Sequence, residues 1–155
     1  MAERAEEIVI GFDSARDVRF RLLWDEAPAT CEAVSGALPF EGDASHATHS
    51  GPAAVAFLDE ELPLPPENVT AAPVPGELLY TYYAPGWRRG YPEHTSEIYW
   101  FYAPGGRPTV PGMFITAMAS VFAVHEGVPE ELAAFGEWSR SLHREGWKHI
   151  SMEAR

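Results

Sequence analysis

Two tyrosine-rich stretches, "ELLYTYYAP" (Glu77–Pro85) and "SEIYWFYAP" (Ser96–Pro104), constrain this chain more than any other feature. Each is a short run of aromatic and aliphatic residues stopped by Ala-Pro, which reads as a strand. The segment between them, "GWRRGYPEHT", is rich in turn formers, so the pair predicts a hairpin with an elaborated loop. Successive strand side chains face opposite ways, and in "IYWFY" both alternating sets are aromatic. One set must lie on the outer face, where contiguous aromatic surface marks a ligand groove or a subunit interface.

The rest of the chain fits the same class. "IVIGF" (Ile8–Phe12) and "DVRFRLLW" (Asp17–Trp24) predict an opening hairpin through "DSARD". The second alternates, with Val18, Phe20, Leu22 and Trp24 on one side and Arg19 and Arg21 on the other. The period then changes. Ala27, Cys31, Val34 and Leu38 recur at helical spacing, Pro28 sits where a missing N–H costs least, and Asp25 and Glu26 are placed to complement the helix dipole. Cys31 falls on the apolar stripe and reads as a core thiol. "ASHATHS" and "AAVAFL" predict two short strands. Asp59–Gly76 holds five prolines and reads as a surface loop. Further strands are expected around Met113–Thr116 and Val121–Val124. A second helix begins near Pro129 with Leu132, Phe135, Trp138 and Leu142 as its buried stripe, and it stops at Gly146. "WKHISME" closes the chain as a strand. About nine strands and two helices with no βαβ rhythm predict a mainly β fold, a closed barrel flanked by helices. With 13 glycines and 14 prolines, a helical bundle is disfavoured.

The 155 residues are expected to form one domain spanning 1–155. The net charge of −12 argues against nucleic acid or an anionic membrane surface as partner. A single cysteine allows no internal disulfide. "MAERAEEIVI" has no apolar stretch of the signal-peptide kind. The longest apolar run, "MFITAMASVFAV", is short of the roughly 20 residues a span needs. A cytoplasmic protein is expected.

The order of segments resembles the cyclophilins. "DVRFRLLWDEAPATCEAV" resembles their opening strand, acidic-Pro turn and helix. "GMFITA" with "SVFAVHEGVPEEL" resembles their phenylalanine-bearing strand, following strand and helix, and "KHISM" their closing strand. The middle, "LPFEGDASHATHSGPAAVAFL" with "PENVTAAPVPGE", resembles an uncharacterised group of bacterial cyclophilin-like proteins, a domain of unknown function. The resemblance implies a compact eight-stranded barrel capped by helices. It does not carry over the prolyl isomerase machinery. Cyclophilins place an arginine on the strand after the first helix; here that position falls near Thr48 in "SHATHS". A hydroxyl cannot replace a guanidinium fork, and losing one aimed donor costs about 3–4 kcal/mol of transition-state stabilisation. The glutamine position carries Gly112 or Met113. The loop bearing a tryptophan and a histidine is missing between Thr116 and Val121, and the pocket phenylalanine alone corresponds to Phe114. A competent prolyl isomerase is not expected; weak residual activity is the minor alternative.

The histidines His46 and His49 stand three apart in "GDASHATHSG". On a regular strand they face opposite ways and cannot share a metal; a bulge near Gly51-Pro52 would be needed. His94, in the loop "GYPEHTS", reads as a surface residue, with a reach over the groove as the alternative. No HExxH, CxxC or GxSxG pattern is present, and no metal or cofactor is expected. The leading expectation is a groove converted to bind, and to isomerise, cyclise or hydrolyse, a small organic molecule. His46, His49 and Glu97 are the candidate proton-transfer groups. Thr48, Tyr82, Tyr99, Trp100 and Phe114 are the candidate ligand contacts. The alternatives are a non-catalytic binding module and a homo-oligomer joined through its aromatic strands.

Overall fold

The computed structural model describes residues 3–87, 91–110 and 117–155. Strands β1 (Glu7–Phe12) and β2 (Arg16–Leu22) form the opening hairpin, with Asp13 and Ser14 at φ of 47° and 58° in its turn. Short polar side chains tolerate that left-handed backbone, and it matches the strand twist. Helix α1 (Pro28–Ala37) follows, then β3 (Phe40–His46), β4 (Ala53–Leu58), the two-residue β5 (Val69–Thr70), β6 (Glu77–Tyr83), β7 (Thr95–Phe101) and β8 (Ala119–His125). Helix α2 (Pro129–Glu145) and β9 (Lys148–Ala154) complete the chain.

Every pairing is antiparallel, in the order β2-β1-β9-β3-β4-β7-β6-β8. Strand β8 returns to β2 through Phe20↔His125 and Leu22↔Ala123, which closes an eight-stranded barrel; β5 is appended to β8. This is the mainly β barrel with two helices that the periodicities imply. The strand expected around Met113–Thr116 lies outside the described residues.

Alternation fills the interior with Ile8, Ile10, Phe20, Ala54, Ala56, Ile98, Trp100, Ile150 and Met152. Helix α2 adds Phe135, Trp138 and Leu142. The Phe135 ring lies 5.0–6.1 Å from those of Trp100, Phe12, Trp138 and Phe20. Trp100 is an interior residue whose indole N–H donates to the Ser139 hydroxyl at 2.8 Å. Cys31 is fully buried and its thiol is pushed up to about 11 by desolvation, as suits a packing residue.

The cap of α1 departs from the sequence expectation. Asp25 and Glu26 lie before the first turn, which holds no acidic residue. Glu67, from the proline-rich segment, serves instead. Its carboxylate accepts from the Thr30 hydroxyl at 2.8 Å, the Thr30 N–H at 2.9 Å and the Ala29 N–H at 3.2 Å. Partial burial raises its pKa, and these bonds together outweigh that and hold it below the ordinary carboxylate range. Glu67→Ala is expected to cost about 1–2 kcal/mol, read as a lower urea midpoint with unchanged slope. Because the folded carboxylate is depressed, its contribution is present above pH 4.5 and disappears as pH falls through the folded pKa.

The segment carrying Glu67 is tied down along its length. The Leu62 N–H donates to Ser96 Oγ, Tyr80 Oη to the Leu62 carbonyl, the Glu67 N–H to Ser120 Oγ and Asn68 Nδ2 to the Val121 carbonyl. No helix among the described residues is long and apolar enough to cross a membrane.

Candidate functional site

The barrel's interior rows leave the opposite rows of β4, β6 and β7 facing outward. Register fixes their order. Glu97 lies between Phe57 and Thr81, and Tyr99 between Val55 and Leu79. A second apolar cluster covers part of this face, with Leu23, Val55, Leu79, Tyr99, Phe101 and Val121 buried together. The chain after β7 folds back over it. The Arg107 N–H donates to the Ser50 carbonyl, and Gly106 sits so close to the Phe101 ring that a Cβ would fall 2.2 Å from it.

Beyond that cover the face opens into a cavity of about 400 Å³. Its floor is the row Phe57, Glu97, Tyr99 and Val55. Tyr83 stacks on Trp87, with centroids 4.4 Å apart and 22° between planes, and Trp87 meets Tyr91 at 5.5 Å. Phe57 meets Trp147 at 6.4 Å; these two are 39% and 61% exposed. His46, Thr48, His49 and His94 belong to the polar lining.

Glu97 is the chemically distinctive group. Burial against this apolar wall pushes its carboxyl up to about 7. Near neutral pH it therefore populates both the acid and the carboxylate, the state a proton-transfer group needs. Burial also raises the phenols of Tyr83 and Tyr99, with the Glu97 charge adding to both. Tyr99 shares a 2.8 Å hydrogen bond with Thr81.

His46 ends β3. Its Nδ1 lies 2.8 Å from the Ala47 carbonyl, which only accepts, so Nδ1 carries the hydrogen. In the neutral ring Nε2 then accepts from the Tyr102 hydroxyl at 2.8 Å. Burial, with a smaller contribution from His143, lowers the His46 pKa against the opposing Ala47 bond. His94 is held by Ser96 Oγ at 3.1 Å and the Asp59 carbonyl at 3.0 Å.

The structure thus gathers His46, Thr48, His49, Glu97 and Tyr99 around one cavity. The irregular turn after His46 lets both histidines reach it, although a regular strand would have separated them. Two expected contacts lie elsewhere. Trp100 has the opposite parity to Glu97 and points into the barrel, and the Tyr82 hydroxyl donates to Glu61 away from the cavity. Tyr83 takes the place expected of Tyr82. Phe114 lies outside the described residues. Sequence reading missed Phe57, Trp87, Tyr91 and Trp147, and it held His94 at the groove only as the alternative to a surface position. Among the described residues no three His, Cys, Asp or Glu side chains come together to hold a metal ion.

The family described as "Protein of unknown function (DUF3830)" matches residues 12–154. The chain belongs to DUF3830. No curated protein matches the chain. Among solved structures, this DUF3830 chain is similar to McbB, determined in complex with tryptophan, at TM-score 0.67 and 16% identity. That similarity covers 96% of this chain and 44% of McbB, so the chain spans less than half of McbB's length. It is also similar to the hypothetical protein AF2241 from Archaeoglobus fulgidus, at TM-score 0.58 and 19% identity over the full length of both. At these identities the likeness is one of fold.

Proposed function

We propose that the cavity binds a small organic molecule carrying a flat aromatic ring, and that Glu97 moves a proton to or from it. The carrying observation is a carboxyl near pKa 7 set among aromatic side chains on the floor of a cavity of ligand size. The rings of Tyr83, Trp87, Phe57 and Trp147 offer stacking surfaces on a ligand, and Glu97 offers an acceptor for an amine or an acidic C–H or N–H. Tryptophan in McbB supports the choice of ring chemistry, since an indole fits such walls. Prolyl isomerisation lies outside this reading, because Thr48 stands in place of a guanidinium.

Calorimetric titration with tryptamine tests the reading. Saturable binding is expected, and Trp147→Ala is expected to weaken it about tenfold, the loss of roughly 1.4 kcal/mol of ring contact. Absence of saturable heat from tryptamine and from indole rejects it. The exposure of Trp147 and Phe57 favours a second reading, a homo-oligomer in which this face is buried. A mass rising with concentration in sedimentation, abolished by Trp147→Ala, marks that case.

A further inference from the structure

The segment His46–Thr48 also borders a second, open cleft, on whose other side lies α2. Tyr102, Arg140, His143 and Arg144 complete its principal lining, and no carboxylate is among the described residues that line it. Arg140, His143 and Arg144 follow the i, i+3, i+4 spacing that puts side chains on one helix face. The His46 and His143 rings meet edge to face at 4.7 Å, and the Arg140 guanidinium lies 5.4 Å from the Tyr102 ring.

This clustering is at odds with the rest of the molecule. The chain carries 23 acidic against 11 basic residues, and five of those eleven cations have carboxylate partners elsewhere among the described residues. Arg16 pairs with Asp13, Arg19 with Glu131, Arg21 with Glu126, Lys148 with Glu145 and Arg155 with Glu153. Arg144 enters no ion pair among the described residues, and Arg140 keeps only an exposed 3.5 Å contact with Glu137. Complementing the helix dipole accounts for His143 and Arg144 in the last turn. It does not account for Arg140 one turn earlier, or for the convergence of all three on His46 and Tyr102.

We infer that this cleft is an oxyanion site that receives a carboxylate or phosphate group on Arg140, His143 and Arg144 of α2, with His46 forming the opposite wall. Guanidinium forks suit such groups geometrically, and an anion there relieves the crowding of like charges. The group arrives either as the acidic end of a ligand whose ring occupies the neighbouring cavity or as a free anion.

Inorganic phosphate exchanged for chloride at fixed ionic strength and pH 7 tests this, followed through the imidazole proton resonances of His46 and His143. Saturable shifts are expected, with affinity about tenfold weaker in Arg140→Gln/Arg144→Gln, a double variant of exposed side chains whose melting temperature is unchanged. Shifts that rise linearly without saturation, or that are the same in the double variant, overturn the inference. Tryptophan compared with tryptamine identifies the source. If the double variant weakens tryptophan alone, the site takes the ligand's own carboxylate; if phosphate still binds to tryptophan-saturated protein, it takes a free anion. Both results support the site. Trp147→Ala, which tests the aromatic cavity, is expected to leave phosphate binding intact, so either reading can fail without the other.

Discussion

Replacing Glu97 by glutamine raises the melting temperature at pH 8 by roughly 5–10 °C and leaves it unchanged at pH 4. The native carboxyl titrates near 7, against an ordinary value of 4.5. Below 4.5 both folded and unfolded chains hold the proton, and there is no penalty. Between 4.5 and 7 the unfolded chain gives up its proton while the folded one keeps it, so stability falls as pH rises. Above 7 the full penalty stands, about 2–3 kcal/mol once residual solvent contact is allowed for. Glutamine preserves the shape and removes the titration. Melting curves of both proteins across pH 4–8 decide the matter; parallel curves would show that Glu97 is not held against its charge. A group kept at such a cost is what a proton-transfer site requires. The same variant is expected to retain ring binding while losing any chemistry that depends on the exchangeable proton.

Truncating Phe135 to alanine is expected to cost about 3–5 kcal/mol and to lower the melting temperature by roughly 10 °C or more. That is a large part of the 5–15 kcal/mol that holds a typical domain together. The ring is fully buried and touches four aromatic partners drawn from β1, β2, β7 and α2 itself. Those partners are stiff and fixed by strand pairing or helix geometry, so the space left behind cannot collapse. Phe135→Leu, which keeps most of the volume, is expected to cost less than about 1.5 kcal/mol. Calorimetry on the pair separates loss of volume from loss of ring stacking. Similar melting temperatures for the two variants would mean that the core tolerates the void.

The barrel was legible in the sequence because its signals are local. Alternation in "DVRFRLLW", the switch to helical spacing at Pro28 and the Pro129-to-Gly146 punctuation each report on a few neighbouring residues. The site was half legible for the same reason. Glu97 and Tyr99 share a parity, so one pleat carries both to the cavity. In "ELLYTYY" Tyr82 shares a parity with the core residues Leu78 and Tyr80, and Tyr83 shares one with Glu77 and Thr81, so the alternation favoured Tyr83 for the outer face; the pairings Thr81↔Glu97 and Tyr83↔Thr95 agree with it. Trp147 and Phe57 come together from β4 and the turn before β9, a juxtaposition that exists only after the barrel closes. Glu67 escaped notice because its partner helix lies far away in sequence.

The proline-rich strap has a consequence for how a ligand would be received. It starts at Asp59, whose carbonyl positions His94, and runs to anchors on Ser96, α1 and β8. Prolines narrow the freedom of the unfolded chain, so these anchors and the two-residue pairing of β5 with β8 are enough to hold the stretch in place. The His94 side of the cavity is therefore shaped by anchors already in place, and a ligand entering there would meet a standing surface instead of folding a loop around itself.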